Sequence, residues 1–344
     1  MSSATPSSSS RSPRSSPDPE SRHPPVEAGA GAVGHFVDRV DRLQRRHAAT
    51  GFPVAVWKRY TEDHGGWLGA TITYYGFFAL VPLLLVFVTA LTIVLNDNPT
   101  LLDRILDAVW RQLPFVGNDI RQNVQPISGN PWTIVIALLV TLWGASNVMR
   151  VCQDTMNRMW GIPRFERPTF AAKVVRGIAV IGLLGLGLIG TAVITGLTLG
   201  FELPLVGAIA TGIGTIALNV AISLLLFRLL VARHANWREH LPGAVVVGVG
   251  TYGLTLLGGI YIQRVVSRAS TLYGSFAAMV GVFAWIALIV QVVVIATLVN
   301  VVRVERLWPR SISARNYGAG DRRAVALSAR RAQLIADAAR PVPP

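Results

Sequence analysis

The sequence predicts an all-α, polytopic membrane protein with six transmembrane helices and cytoplasmic amphipathic helices. Hydrophobic residues fill 51% of the 344 positions and charged residues only 15%, a balance too apolar for an average soluble domain. Several nearly uncharged runs are each long enough to cross the hydrocarbon core of a bilayer, which takes about 20 helical residues. The basic residues lie mainly in one alternate set of the connections between these runs, as the positive-inside rule describes for membrane proteins.

Four regions follow from the composition. Residues 1–30 are rich in Ser, Pro and Arg and are predicted to be a disordered cytoplasmic tail, because they carry too few large apolar side chains to form a core. Residues 31–64 repeat apolar side chains at helical spacing, which predicts amphipathic cytoplasmic or interfacial helices. Residues 65–305 form the membrane domain. Residues 306–344 form a basic cytoplasmic tail, with a helix predicted at 322–339.

The membrane domain is divided into six predicted spans, at residues 67–95, 132–150, 174–200, 205–227, 242–263 and 274–302. The first span is roughly 43 Å long as a helix, longer than the bilayer core requires. Pro82 is therefore its candidate kink, since proline removes a helical hydrogen bond. Glycine is dense in the third and fifth spans, which allows close approach of membrane helices. We expect both of these spans to form the packed interior.

The second span is predicted to leave the bilayer and continue as an amphipathic arm. Asn147, Arg150 and Asn157 lie on one polar stripe of this arm, and Gly161 with Pro163 is expected to end it. Arg150 stands where the uncharged helix meets the headgroups. The stripe is a candidate contact for an anionic headgroup or substrate; alternatively, Arg150 only anchors the helix end by reaching toward the membrane surface.

Tyr74 and Tyr75 make the first half of the first span more polar than contact with lipid favours. They are candidates for a polar path exposed by the kink at Pro82; the alternative is that they are ordinary interfacial tyrosines. Uncharged polar residues in or near other spans are expected to hydrogen-bond between helices. These residues are Asn219, Gln263, Gln291 and Asn300.

The distribution of charge predicts the orientation. Placing both termini and the connections at 150–176 and 228–240 on one side collects 27 of the 32 Lys and Arg residues there. The positive-inside rule then predicts a multi-pass protein with both termini cytoplasmic. Basic loops that face anionic lipid headgroups account for the net charge of +14 without a nucleic-acid partner.

Several motifs resemble the YihY/BrkB family of bacterial inner-membrane proteins. They are Leu142-Trp143-Gly144-Ala145-Ser146 with Arg150, Asn157-Arg158 and Gly161-Ile162-Pro163; Tyr74-Tyr75-Gly76-Phe77-Phe78-Ala79-Leu80-Val81-Pro82; Leu241-Pro242-Gly243-Ala244; and Tyr273-Gly274-Ser275-Phe276. The resemblance covers about residues 65–305 and implies an envelope role in the bacterial plasma (inner) membrane. The chain departs from the family's Gly-Ala-Glu-Leu-Asn-like ending, because residues 296–300 contain no acid. The resemblance therefore does not carry over to this chain any role that the glutamate of that ending has in the family.

Members of this family were once labelled ribonuclease BN, and the sequence does not support that activity. Metal-dependent hydrolysis needs clustered carboxylates or histidines, whereas the six histidines and the acidic residues here are scattered. Serine-hydrolase and phosphate-binding loop motifs are also missing from the sequence. We predict no enzymatic activity, no catalytic residue, no metal site, no cofactor and no binding of nucleic acid.

The functional hypothesis from sequence is transport or flipping of a lipid-like amphiphile. Glycine-rich packing, the candidate kink and the basic collars favour it, and membrane lipids with an amphiphilic substrate are the expected partners. No ionisable residue is expected deep in the bundle, so the sequence does not predict coupling to ions. The alternative is a non-transporting membrane scaffold. The oligomeric state does not follow from the sequence.

Overall fold

The protein is helical throughout the part that the computed structural model describes. That part comprises residue 41 and residues 48–95, 97–112, 131–198, 204–233, 236–261, 267–312 and 318–338. No strand occurs among these residues. The predicted tail at 1–30 lies outside the described residues, as does the first part of the amphipathic region predicted at 31–64, up to residue 47 except for residue 41.

Nine α-helices are described in these ranges. They are α1 Ala48–Glu62, α2 Gly65–Val94, α3 Pro99–Gln112, α4 Pro131–Met159, α5 Phe170–Thr198, α6 Pro204–Leu230, α7 Trp237–Tyr261, α8 Ser267–Val304 and α9 Ala319–Ala338, with a short 3₁₀ helix at Arg164–Glu166. Helix α4 ends where its Gly-Ile-Pro sequence predicts. Gly161 adopts a left-handed backbone with φ of 72°, and the N–H groups of Gly161 and Ile162 donate to carbonyls of the last turn.

The six long helices form a closed ring in chain order. Each packs against the next, from α2 through α4, α5, α6 and α7 to α8, and α8 packs against α2. Helix α4 also contacts α6 and α8 across the ring, while α3 lies against α5 and α1 lies against α8. One end of the ring is called the basic end here, because Arg158, Arg176, Arg228, Arg233 and Arg303 lie at the helix ends that meet there.

Four helices in the described part of the chain are long and apolar enough to cross a membrane. The spans are Ala172–Thr191, Leu205–Leu230, Trp237–Gly258 and Met279–Val304. The two other predicted spans fall within α2 and α4, where many side chains are not described, so the count of six remains a prediction. Helix α2 is continuous through position 82, and a kink there also remains a prediction. The architecture is that of an all-α, multi-pass membrane protein.

The main core lies at the basic end, where apolar side chains of α4, α6 and α8 meet. Phe227, Met159 and Leu298 are among its largest fully buried side chains. The stripe of α4 expected to be polar is partly inside this core. Gln153 and Asn157 are fully buried beside the methionines, while Arg150 and Asp154 stay half-buried. The buried face of α4 is therefore wider than its apolar residues alone indicate.

Buried charges join α1, the connection after α8, and α9. The Arg310 guanidinium donates two hydrogen bonds to Glu62, at 2.6 and 2.8 Å, and one to Asp321 at 3.2 Å. Asp321 also accepts from the Lys58 ammonium at 2.9 Å and from the Ser311 and Gly318 N–H groups at 2.8 and 3.0 Å. We call Lys58, Glu62, Arg310 and Asp321 the charge clamp. It fixes both ends of the described chain to the basic end of the ring.

Asp321 is kept ionised in this clamp. Burial by itself would raise the pKa of its carboxyl, but the Ser311 N–H, the Lys58 ammonium and the Gly318 N–H bind the carboxylate and bring the pKa below its usual value. Burial likewise opposes the charge of Arg310, and its hydrogen bonds to Glu62 and Asp321 raise its pKa nevertheless. Both groups are almost inaccessible to solvent, so the clamp depends on complete pairing.

The two glycine-rich helices differ in burial. In α7, a β-carbon on Gly243 would collide with the Ala296 carbonyl and the Asn300 amide, and one on Gly248 would lie 3.1 Å from the Ile216 carbonyl. In α5, only 11% of the membrane span is buried, against 28% in α7. The expectation that both helices form the interior is therefore wrong for α5. Its glycines admit side-chain tips of α6 on one face and leave the other face exposed.

Candidate functional site: two grooves at the basic end

A groove of about 1010 Å³ lies between α5 and α6 at the basic end of the ring. Its walls are apolar and belong to the two membrane helices, with Leu183, Leu186, Leu225 and Leu229 among its lining residues. No other side chain approaches within 4 Å of where a β-carbon on Gly182 would stand, which leaves the middle of the groove wide. Leu186 and Leu225 are exposed, so the groove opens on the outer surface of the ring.

Arginines close the basic end of this groove. Arg176 comes from the first turns of α5, Arg228 from the last turn of α6, and Arg233 from just beyond it. The Nη1 atom of Arg176 is buried and has no hydrogen-bond partner among the described residues. Arg233 pairs with Glu305 at 2.9 Å and lies over the Trp160 ring at 5.6 Å. We call Arg176, Arg228 and Arg233 the arginine collar.

A second groove, of about 1090 Å³, lies between the start of α2 and the end of α4. Exposed Trp67 and Phe165 flank it, and the Arg158 guanidinium lies 6.0 Å from the Trp67 ring centre. Asp154 on its floor pairs with Arg167 and Lys173, each at 3.2 Å. The connection between α4 and α5 is thereby bound to α4.

The charges distinguish the two grooves. The described residues that line the α2–α4 groove include the carboxylates of Glu62, Asp63 and Asp154 and the cations of Arg158, Arg167 and Lys173. Those that line the α5–α6 groove include the three arginines of the collar and no carboxylate. Arginine binds phosphate and carboxylate through parallel hydrogen bonds. The α5–α6 groove therefore suits a molecule with an apolar chain and an anionic head.

Tyr74 and Tyr75 lie on an exposed side of α2. Their rings contact each other edge to face at 5.4 Å, and Tyr74 also contacts Phe78 at 5.0 Å. Among the described residues, neither tyrosine lines either groove. Nothing in their contacts separates the two interpretations made from the sequence, so the polar path remains a prediction.

Asn147 and Arg150 are brought together on α4, where the Arg150 guanidinium donates to the Asn147 side-chain oxygen. No hydrogen bond or ring contact joins this pair to Tyr74 or Tyr75 within the described part of the chain. Asn157 is fully buried instead, and its side-chain oxygen accepts the Ala232 N–H at 2.8 Å. The stripe predicted from sequence is therefore divided between a half-buried pair and a buried amide that binds the backbone just after α6.

His240 is the functional candidate that the sequence pattern did not reveal. It lies in the first turn of α7 and is fully buried between the rings of Trp160 and Phe227, at 5.6 and 6.1 Å. His240 is buried at the basic end and precedes the span predicted at 242–263, so the expectation that no ionisable residue lies deep in the bundle remains a prediction. The only available signal was the position of His240 at a helix start, two residues before Pro242, and that signal is weak.

The expected interhelical hydrogen bonds are confirmed for two residues. The Asn300 oxygen accepts the Gly243 N–H at 2.7 Å, and the Gln291 oxygen accepts the Tyr60 hydroxyl at 3.0 Å. Asn300 thus joins α8 to the Leu-Pro-Gly-Ala sequence of α7. As for metals, the described residues contain no group of three or more His, Cys, Asp or Glu side chains placed to hold an ion.

Residues 56–316 match the family model described as virulence factor BrkB. The chain belongs to the BrkB family. A UPF0761 membrane protein of Chromobacterium violaceum is 26% identical over 271 residues, which are 76% of this chain and 63% of the relative. A UPF0761 membrane protein of Laribacter hongkongensis is 24% identical over 253 residues, 70% of this chain and 58% of the relative.

A third relative is the inner membrane protein YhjD of Escherichia coli. It is 27% identical over 146 residues, which are 40% of this chain and 43% of the relative. The alignments cover less than two thirds of the length of each of these three relatives. No solved structure matches the chain. Membership of the BrkB family agrees with the resemblance seen in the sequence motifs.

Proposed function

We propose that this BrkB-family membrane protein binds an anionic, lipid-like amphiphile in the α5–α6 groove and moves it between the leaflets of the bilayer. The observation that carries the proposal is the combination of apolar walls, an opening to the outer surface, and three arginines without a lining carboxylate. An acyl chain would contact the leucines, and an anionic head would pair with the arginine collar. The buried Nη1 of Arg176 is a donor suited to that head.

The arginine collar belongs to the basic end, which the positive-inside rule favours as cytoplasmic. We therefore propose that the protein lies in the bacterial inner membrane with both termini in the cytoplasm and takes up its amphiphile from the cytoplasmic leaflet. The name of the Escherichia coli relative as an inner membrane protein supports this location. Reporter fusions after residues 168 and 320 should be cytoplasmic, and a fusion after residue 120 should be external.

The test is a lipid-scrambling assay in proteoliposomes that contain a fluorescent phosphatidylglycerol. Dithionite added outside reduces the fluorophore only in the outer leaflet, so it shows which leaflet holds the lipid. In vesicles with the wild-type protein, probe from the inner leaflet should reach the outer leaflet at least several times faster than in vesicles without protein. Arg228→Gln combined with Arg176→Gln should remove most of this rate, because the head then loses two of its three cations. Arg104→Gln combined with Asp103→Asn is the control, since both residues are exposed on α3, away from the groove.

Equal rates for the wild-type and collar variants would contradict the proposal. A wild-type rate equal to that of vesicles without protein would show that the protein does not flip this lipid. Circular dichroism and gel filtration of each variant in detergent show whether the fold survives. Because Arg228 is exposed and Arg176 half-buried, the substitutions are expected to leave the fold intact.

A second function, as a non-transporting scaffold, is favoured by a different observation. The charge clamp holds α1 and α9 firmly together at the basic end, as a platform for other proteins requires. A scaffold would depend on the clamp and not on the collar. Complementation of a deletion strain separates the two functions: loss with Arg310→Gln but not with Arg228→Gln would favour the scaffold.

We also propose that the protein is not a ribonuclease, because its histidines and acidic residues are scattered along the sequence. Protein purified free of contaminating nuclease should leave a labelled RNA intact, with or without Mg²⁺ or Zn²⁺. Activity that survives purification and disappears on replacement of a single His or Asp would show a hydrolytic site.

A further inference from the structure

The imidazole of His240 is enclosed at the basic end of the ring. Its side chain is 1% exposed, and neither ring nitrogen has a hydrogen-bond partner among the described residues. Trp160, the residue after α4, contacts it edge to face, and Phe227 of α6 stacks on it. Buried polar groups in proteins are nearly always paired. An unpaired imidazole inside a membrane bundle therefore calls for a functional explanation.

The charged groups that act on His240 come from two elements. Glu239 precedes it on α7, while Arg228 and Arg233 face it from the end of α6 and the connection that follows. From the turn after α4 it meets the uncharged indole of Trp160. Two of these charged groups, Arg228 and Arg233, belong to the arginine collar of the α5–α6 groove. The histidine thus lies behind the collar and within its electrostatic reach.

A small cavity lies on the other side of Trp160, one side chain away from His240. It has a volume of about 310 Å³ and is lined by Trp160, Arg233, Glu166, Glu305 and Arg330 among others. Arg233 lines both this cavity and the groove, pairs with Glu305 at 2.9 Å and lies over the Trp160 ring. Trp160 in turn contacts His240. One continuous set of contacts therefore joins the cavity, the histidine and the collar.

We propose that His240 is a proton-binding site that controls how tightly the α5–α6 groove holds an anionic amphiphile. The neutral imidazole takes one proton from water in the cavity and becomes an imidazolium, which adds one positive charge behind Arg228 and Arg233. The added charge strengthens retention of the anionic head, and loss of the proton to water weakens it. This inference rests on the proposed function and adds a control to it, because the pH of the water at the basic end would set how tightly the groove holds the amphiphile.

The coupling is reciprocal. If a proton on His240 tightens binding of the anion, then binding of the anion must draw a proton onto the protein by the same factor. A histidine can exchange its proton in the range of roughly pH 5 to 8. An anionic ligand of constant charge should therefore bind roughly fivefold more tightly at the acid end of that range, the lower part of the scale for coupled sites.

The experiment is isothermal titration calorimetry of the purified full chain in detergent with dioctanoylphosphatidylglycerol. The phosphodiester of this lipid keeps its charge throughout the range. Titrations at pH 5.5 and pH 8 give the change in affinity, and titrations at one intermediate pH in two buffers of different ionisation enthalpy give the protons taken up. The wild-type protein should show the fivefold change and, at the pH of maximum linkage, an uptake of about 0.4 proton, the most that a fivefold coupling allows. Glycerophosphoglycerol, the headgroup without chains, should bind far more weakly if a lipid rather than a free phosphate ester is the ligand.

His240→Gln should bind the lipid with an affinity that does not change with pH and with no proton uptake. His64→Asn is the matched control, because His64 is exposed at the start of α2 with φ of 54°, a conformation that asparagine tolerates. His234→Gln tests the histidine next to Arg233 in the sequence. Both controls should keep the wild-type pH dependence.

The outcomes separate the inference from the proposed function. If the lipid binds the wild-type protein with the same affinity at both pH values and without proton uptake, the proposed role of His240 is wrong. The proposal that the groove binds lipid is then unaffected. A pH dependence that survives His240→Gln, or that disappears in His234→Gln, also overturns it. If the lipid does not bind at any pH, the proposal that the groove is a lipid site is contradicted. The wild-type titrations decide both questions even if His240→Gln fails to fold.

Discussion

The α7–α8 contact and the α5–α6 groove are built from equally glycine-rich helices, yet one is closed and the other open. In α7, Gly243 and Gly248 face backbone atoms of neighbouring helices, and the Asn300 side-chain oxygen accepts the Gly243 N–H. In α5, Gly187 and Gly190 face only the side-chain tips of Ile222 and Leu218, and Gly182 faces nothing within 4 Å. Glycine content therefore permits close approach but does not cause it; the partner helix decides.

The same contrast extends across the ring. Helix α8 contacts α1, α2, α4 and α7, and 39% of its membrane span is buried, against 17% in α6 and 11% in α5. The charge clamp strengthens the buried half. The arginine collar lies on the exposed half. The proposed function needs this arrangement: a rigid side around α8 that holds the termini, and an open side at α5 and α6 that faces lipid.

The largest effect is expected from breaking the charge clamp. Asp321→Asn should lower the stability by about 3 kcal/mol, because it leaves Lys58 and part of Arg310 without their buried partner. Thermal unfolding in detergent should show a fall in Tm of roughly 6–12 °C. Asp97→Asn, at an exposed position, should change stability by less than about 0.5 kcal/mol. A clamp variant as stable as the wild type would show that the rigid half does not depend on the clamp.

The pH dependence of that clamp has a defined sign. The folded pKa of Asp321 lies below its usual value, so its contribution to stability is present above the ordinary carboxyl pKa of about 4 and is lost as the pH falls through the folded pKa. The wild-type Tm should therefore fall more steeply below about pH 4 than the Tm of Asp321→Asn. Parallel curves for the two proteins would contradict the assignment.

Gly243→Ala should have the next largest effect, because the new methyl group meets the backbone carbonyl of Ala296 and forces α7 and α8 apart. Overpacking of this kind costs about 2–3 kcal/mol. Gly182→Ala on α5 is the matched control, since its methyl group meets no other atom within 4 Å, and it should keep the wild-type Tm. Equal losses in the two variants would abolish the distinction between the helices.

Filling the groove should affect activity and leave stability unchanged. Gly182→Leu places a side chain among the lining residues of the α5–α6 groove. It should reduce the rate of transfer of the fluorescent phosphatidylglycerol at least about fivefold, because the acyl chain loses apolar contacts worth about 1 kcal/mol or more. Its Tm should stay within a few degrees of the wild type. An unchanged transfer rate would place the amphiphile elsewhere.

The smallest effect is expected at Arg150. Its guanidinium binds Asn147 on its own helix and lines neither groove among the described residues. Either cation can reach lipid phosphate by extending to the surface, so Arg150→Lys should complement a deletion strain as well as the wild type does. A loss of complementation at equal protein level would return Arg150 to the candidate headgroup contacts.

The sequence predicted the helices well and the grooves poorly, for a physical reason. Uncharged runs and the Gly161 turn are local signals, and they located four helices long and apolar enough to cross a membrane as well as the end of α4. The groove depends on which face of α5 meets α6, which no single helix encodes. Asn157 shows the same limit: an amide on a charged stripe was expected to face headgroups, but the free Ala232 N–H at the end of α6 draws it inside.

The most direct test of the open and closed sides is photocrosslinking with a diazirine-labelled phosphatidylglycerol in proteoliposomes, followed by mapping of the adducts by mass spectrometry. The account predicts that adducts concentrate on residues 176–186 of α5 and 225–233 of α6, and that Gly182→Leu removes them. Adducts confined to the α2–α4 groove, or spread equally over the outward residues Val245 and Val249 of α7, would contradict the assignment of the α5–α6 groove as the lipid site.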